Sequence, residues 1–182
     1  MSKRSAVARI LAVTGLTIGL VGFAGPAHAE RYSIDDPADA TGSRNDIYGL
    51  TLVHGEKRVR FVIAVDDLRP RSDAGATLFL DTDPQDKGPE YALGTGLSSG
   101  TDYGLTRVEG WEDRDGKILG CDYDLTLKYR TDQVVGSIKR SCLKNPDTVA
   151  ASVKMVDTAD ASHPIRDWAP GKKKFGLAVS AG

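Results

Sequence analysis

The sequence predicts an all-β protein: a single antiparallel β-sandwich of about eight strands with one disulfide, behind an N-terminal signal peptide. Three observations carry that expectation. Apolar residues fall on alternate positions in short runs separated by Gly, Asp and Pro turns. Beyond the first 29 residues no stretch holds a sustained helical period with caps. Cys121 and Cys142 are the only cysteines, and an even pair in an exported domain reads as one bridge.

Residues 1–29 read as the signal peptide. Lys3, Arg4 and Arg9 form a basic start, Ile10 to Ala24 an apolar stretch, and Ala27-His28-Ala29 a small-x-small cleavage pattern. The apolar stretch is too short for a comfortable membrane span. These observations predict a secreted, extracellular protein with no membrane association after cleavage. The leader holds three basic and no acidic residues, so the rest of the chain has 21 basic and 25 acidic groups, a net charge near −4. That mild acidity, with scattered basic residues, argues against nucleic acid and anionic membranes as partners.

Residues 30–45, ERYSIDDPADATGSRN, read as an irregular leader, and residues 46–182 as the sandwich domain. Ile47 to Val65 reads as a hairpin, with Tyr48, Leu50, Leu52, Val59, Phe61, Ile63 and Val65 on one face. A turn at Gly55-Glu56 sets Leu52 opposite Val59 and Leu50 opposite Phe61. Ala76 to Leu80 is a third strand that runs into an acidic turn, and Tyr91 to Leu97 a short fourth. Asp115-Gly116 is a hairpin signal that sets Arg107 opposite Asp124 and Val108 opposite Tyr123. A second turn at Thr131-Asp132 sets Leu125 opposite Ile138, Asp124 opposite Lys139, and Cys121 opposite Cys142. Val149 to Val156 and Phe175 to Val179 complete the strands, and the loop between them holds the DWAPG segment, Asp167 to Gly171.

Two groups of side chains are candidates for chemistry. Asp81, Asp83, Asp86 and Glu90 follow one strand closely, and such clustered oxygens are what calcium needs, with Gly88 for a sharp turn. The spacing resembles an EF-hand loop without matching it, and the competing reading is a solvated acidic turn. Trp111, with Arg107, Glu109, Asp122 and Asp124 beside it on the outer face, and Trp168 in its loop, are candidates for a ligand platform. Their structural alternative is a tryptophan plug and a covered sheet edge. His54 and Met155 read as a turn histidine and a core methionine rather than a haem pair. His54 and His163 stand in no G-x-S-x-G or H-E-x-x-H context.

The chain resembles the DOMON-like and family 9 carbohydrate-binding modules. The resemblance rests on the acidic leader DDPADATGSRNDI, the strand VIAVDDL with its D-L ending, LFLDTDPQDKGPEYAL, and the DWAP stretch. It implies an exported, non-catalytic binding module whose members bind sugars, haem or calcium. The expectation is therefore a secreted module for an extracellular carbohydrate, with no enzymatic activity. The alternative is an extracellular protein-interaction or inhibitor module acting through the loops Arg69 to Gly75 and Ala159 to Gly171.

Overall fold

A computed structural model describes residues 29–112 and 116–182. The predicted signal segment, but for its last residue, and Asp115 of the predicted turn lie outside the described residues.

Among the described residues two antiparallel sheets pack face to face. The strands are β1 (Glu30–Asp35), β2 (Ile47–His54), β3 (Arg58–Val65), β4 (Ala74–Asp81), β5 (Tyr91–Gly96), β6 (Tyr103–Arg107), β7 (Tyr123–Lys128), β8 (Gln133–Lys139), β9 (Thr148–Asp157), β10 (Ile165–Ala169) and β11 (Val179–Ser180). The first sheet runs β1-β2-β3-β8-β7 and the second β10-β9-β4-β5-β6, with β11 paired to β9. The β-sandwich is as the alternation predicted, with more strands than eight. The core lies between the sheets, where Leu50, Leu52, Phe61, Ile63, Val134 and Ile138 meet Leu78, Leu80, Leu93, Leu105, Val153 and Met155. Met155 is a core residue as expected.

Two of the three predicted hairpins form, each with a register moved by two. Leu52 pairs with Phe61 and Leu50 with Ile63. The Gly55 N–H donates to the Arg58 carbonyl, so the turn centres on Glu56-Lys57, and His54 belongs to the strand. Tyr123 likewise pairs with Ile138, and Lys128 with Gln133, around a four-residue loop. In that loop Asp132 adopts a φ of 50° and accepts a hydrogen bond from the Leu68 N–H at 3.0 Å. A two-residue slip leaves every side chain on its face, whereas a one-residue slip would not. The apolar pattern therefore specifies the face and leaves these two registers open.

Tyr48 departs from the predicted face. A bulge between Ile47 and Gly49 turns it outward, where its hydroxyl donates to Asp66 at 2.9 Å, and Ile47 takes the core position. His54, expected at a solvated turn, is fully buried; its Nδ1 pairs with the Val179 carbonyl at 3.0 Å.

The disulfide joins Cys121 to Cys142 with Cα atoms 5.9 Å apart. Cys142 sits in a 3₁₀ turn, Arg140–Leu143, rather than on the strand. Its neighbourhood differs from the expectation in one large respect: β6 does not pair with β7. β6 pairs with β5 in the second sheet, and β7 with β8 in the first. A return of the chain exists only briefly, through a Thr106–Ile118 bridge and a Leu119 N–H to Leu105 carbonyl bond. Leu119 then packs on the main core, and the chain crosses to the other sheet.

Three further expectations are corrected. Residues 30–45 are not irregular throughout, because β1 pairs with β2 along its whole length and packs Tyr32 and Ile34 against the core. The DWAP segment is not a loop; Asp167, Trp168 and Ala169 lie on β10. Of the strand expected over Phe175 to Val179, only Val179–Ser180 forms as β11.

Candidate functional site

The outer face of the second sheet gathers the aromatic residues. β4 turns Ala76, Leu78 and Leu80 into the core, which leaves Gly75, Thr77 and Phe79 facing outward. The register aligns outward residues across the strands in three rows. Arg166, Val156, Gly75 and Gly96 form one row, and Trp168, Lys154, Thr77, Gly94 and Gly104 the next. The third holds Ser152, Phe79, Ala92 and Thr106. The middle of the face is thus floored by glycine, and a Cβ built on Gly94 would meet nothing within 4 Å.

Trp111, from the connection after β6, and Phe175, from the segment before β11, close one end. Phe79 stacks on Trp168 with ring centres 5.8 Å apart and planes 11° apart. Trp111 lies 5.2 Å from Phe79, 5.7 Å from Trp168 and 4.6 Å from Phe175. Val108 and Ala92 are buried beneath them. Each such ring pair adds about 0.5–1.5 kcal/mol beyond the area it buries, so the cluster holds its rings in fixed orientation.

A groove of about 480 Å³ runs from these rings over the glycine floor. Phe79 and Trp111 wall one end, Thr77 supplies a hydroxyl, and Lys154 and Arg166 the charge. Lys154 Nζ also lies 5.3 Å from the centre of the Trp168 ring. No carboxylate lines this groove among the described residues. An apolar ring face beside a hydroxyl and cations suits a ligand with one flat apolar face and polar edges. A larger groove, about 780 Å³, crosses the outer face of the first sheet. It mixes Arg31 and Arg60 with Asp35 and Asp124, and the only exposed aromatic in it is Tyr48.

The structure divides the predicted platform. Trp111 and Trp168 come together, with Trp168 backing Phe79 and Trp111 forming the wall. Arg107 and Glu109 flank the buried Val108 and are not among the residues that line the groove. Asp122 and Asp124 are on the other sheet, bonded to Arg58 at 2.9 and 3.0 Å. They joined the prediction only through the β6–β7 pairing, which does not occur. The residues missed were Phe79, Phe175, Lys154, Arg166 and the floor glycine Gly94. A signal existed in the unbroken apolar run LFL of β4, which cannot place all three side chains inside.

The acidic loop after β4 keeps its carboxylates occupied with its own backbone. Glu90 Oε2 accepts from the Thr82 N–H at 2.6 Å and the Thr82 hydroxyl at 3.0 Å. Asp81 accepts from the Asp83 N–H, Asp83 from Gln85, and Asp86 from Lys87. Burial, and then the neighbouring Glu90, push the Asp81 carboxyl up to about 6. Among the described residues the acidic oxygens that converge within 4.8 Å belong instead to Asp36, Asp39 and Asp167. Asp167 there accepts from the Ile47 N–H at 2.7 Å and the Trp168 N–H at 2.6 Å, tying β10 to β2. Burial, then Asp167, Asp39 and Asp46, push Asp36 up to about 6.

Asp160, Ser162 and His163 form a small exposed cluster. Ser162 Oγ and Asp160 Oδ2 approach the same nitrogen, His163 Nδ1, at 2.9 and 3.1 Å. A Ser-His-Asp relay needs them on opposite ring nitrogens, so this arrangement is a turn rather than a triad.

Compared with models of protein families and with curated proteins, the chain matches none.

Proposed function

We propose that the chain is an exported, non-catalytic binding module that holds an extracellular carbohydrate on the outer face of the second sheet. The single observation behind this reading is the groove that pairs the Phe79–Trp111 wall with an open glycine floor and a rim of hydroxyl and cationic groups. A pyranose ring has one flat C–H face and a belt of hydroxyls, which is the complement of that surface. The resemblance of DDPADATGSRNDI, LFLDTDPQDKGPEYAL and DWAP to the DOMON-like and family 9 carbohydrate-binding modules supports the same class. The leader supports export, and a disulfide with no membrane-crossing helix among the described residues is compatible with it.

Glycan-array and polysaccharide pull-down measurements test the reading, with Trp111→Ala as comparator. Retention that falls at least tenfold in Trp111→Ala is expected. Failure of every glycan, together with a stoichiometric protein partner from culture supernatant, would favour the interaction or inhibitor module instead.

A further inference from the structure

We propose that residues 171–182 form an acid-released strap: protonation of His54 frees this segment, and Phe175 with it, from the two sheets. Phe175 braces the groove wall, so the control acts whatever ligand the groove takes. The strap is lightly anchored for its length, with Val179 as its one buried residue. The Phe175 ring lies 4.6 Å from that of Trp111. The Gly176 N–H donates to the Ala151 carbonyl at 3.0 Å, and β11 pairs with β9 over two residues. The Ser180 N–H donates to Glu30 Oε2 at 2.6 Å, the Ala181 N–H to the Asp147 carbonyl at 3.0 Å, and the Gly182 N–H to the His54 carbonyl at 3.2 Å. The strap thus bridges β1 and β2 of the first sheet to β9 of the second. A segment with few buried apolar contacts opens by itself at lower cost than the core.

His54 is the lock because of where its two ring nitrogens lie. The residue is fully buried. Nδ1 faces the Val179 carbonyl at 3.0 Å, and a carbonyl only accepts, so in the neutral ring Nδ1 carries the hydrogen and Nε2 the lone pair. Acid therefore adds its proton at Nε2. That atom is buried and has no hydrogen-bond partner among the described residues. A charged ring with a buried, unmatched N–H is costly until it reaches water. Lifting the strap removes the Val179 contact and opens the ring to water. Burial is the largest influence on His54 and lowers its pKa below 6.5. The Val179 carbonyl, Asp147 before β9 and Glu30 on β1 favour the proton, and Arg140 in the 3₁₀ turn opposes it. Arg140 is held by the Glu56 and Pro146 carbonyls at 3.1 and 2.6 Å, so it stays beside the ring as the proton arrives. The folded ring resists a proton that the opened ring accepts, so the strap is held above pH 6.5 and released as pH falls below it. An opened ring of pKa 6.5 sets a ceiling of about thirtyfold on the rise in opening between pH 7.5 and 5.0.

The test is amide hydrogen exchange at pH 7.5 and 5.0, corrected for the intrinsic pH dependence of exchange and repeated in increasing sub-denaturing urea. The variant is His54→Asn, whose side-chain N–H can stand where Nδ1 stood and does not titrate. Melting curves check that it folds. Acrylamide quenching of Trp111, measured in Trp168→Phe, reads the groove wall. Strap amides should exchange faster than those of Phe61 and Ile63, with a weaker dependence on urea. Their opening should rise severalfold from pH 7.5 to 5.0, and Trp111 should become easier to quench in step. His54→Asn should remove most of that rise. In the unsubstituted protein the pH midpoint of strap opening should coincide with the titration of the His54 ring followed by imidazole nitrogen NMR, a comparison that needs no variant at this position. Strap amides that share the protection and urea dependence of Phe61 and Ile63 overturn the independent strap. An equal pH response in folded His54→Asn, or a midpoint apart from the His54 titration, overturns the lock. Opening of the strap with unchanged quenching of Trp111 overturns its hold on the groove wall.

Discussion

Replacing Cys121 and Cys142 together by serine should cost about 3 kcal/mol at 25 °C. The two cysteines are 21 residues apart in sequence. Closing a loop of that length removes about 11 cal/mol/K from the unfolded chain, and multiplied by temperature this is the figure above. The native loop is held by other means. β7 and β8 pair over six positions, the Lys139 N–H donates to the Asp122 carbonyl, and Arg58 ties Asp122 and Asp124 to β3. Those bonds survive the substitution, so the loss should come mainly through a freer unfolded state. Guanidinium unfolding, followed by the fluorescence of Trp111 and Trp168, should show a lower midpoint. The m value should rise, because the uncrosslinked chain exposes more surface. At this chain length the melting temperature should fall by about 6–12 °C. The reduced wild-type protein is a second measurement without a new buried hydroxyl beside Leu143. A midpoint shared by oxidised, reduced and double-serine proteins would refute the chain-entropy argument here.

Asp36→Asn should raise the melting temperature at pH 7.5 and have little effect at pH 4. Asp36 holds its proton up to about pH 6 when folded against 3.8 otherwise, so its contribution falls as pH rises between those values and is flat above them. His54 should do the opposite. Burial lowers its pKa below 6.5, so stability declines as pH falls below 6.5. His54→Leu should cost about 1–3 kcal/mol at pH 7.5 by leaving the Val179 carbonyl unpaired, with a gap to wild type that narrows toward pH 5 in urea unfolding. Arg58→Lys replaces a fork that reaches two aspartates and Ser137, and its loss of about 1 kcal/mol should shrink in high salt. Phe61→Ala, at the centre of the core, should cost about 3–5 kcal/mol in the same assay.

Strand faces were legible in the sequence because burial on one side imposes a period of two, and Leu50, Leu52, Phe61, Ile63, Val134 and Ile138 obey it. Register was not, because two-residue slips preserve that period. The choice was made by contacts remote in sequence, such as the Asp132 carboxylate on the Leu68 N–H and His54 on the Val179 carbonyl. The cysteine pair was legible from there being only two cysteines and from the Thr131-Asp132 turn that faces them. β6 and β7 were assigned to each other by the Asp115-Gly116 turn signal, whose register also set Arg107 opposite Asp124, yet Asp124 found its cation in Arg58 on the next strand but one. Charge complementarity across a proposed pair is thus a weak guide where several strands offer the same partner.

β10 shows why the candidate site itself was hidden. Its alternation is inverted: Asp167 is buried and bonded to the Ile47 N–H of the opposite sheet, whereas Trp168 faces outward. A strand that turns a carboxylate in and an indole out looks like a loop to any reading based on hydrophobic period. β4 breaks the rule on the same face, where Phe79 stands outward between Leu78 and Leu80. A buried aspartate needs donors, and the Ile47 N–H of β2 and the Trp168 N–H of β10 converge on it. An outward tryptophan needs apolar cover, and Phe79 and Trp111 supply it. Both departures are thus stabilised locally, and both serve to place aromatic rings on a solvent face that would otherwise be glycine and threonine. Places where a sequence breaks its own pattern and the structure compensates the break are where function is expected. In this chain they converge on one groove.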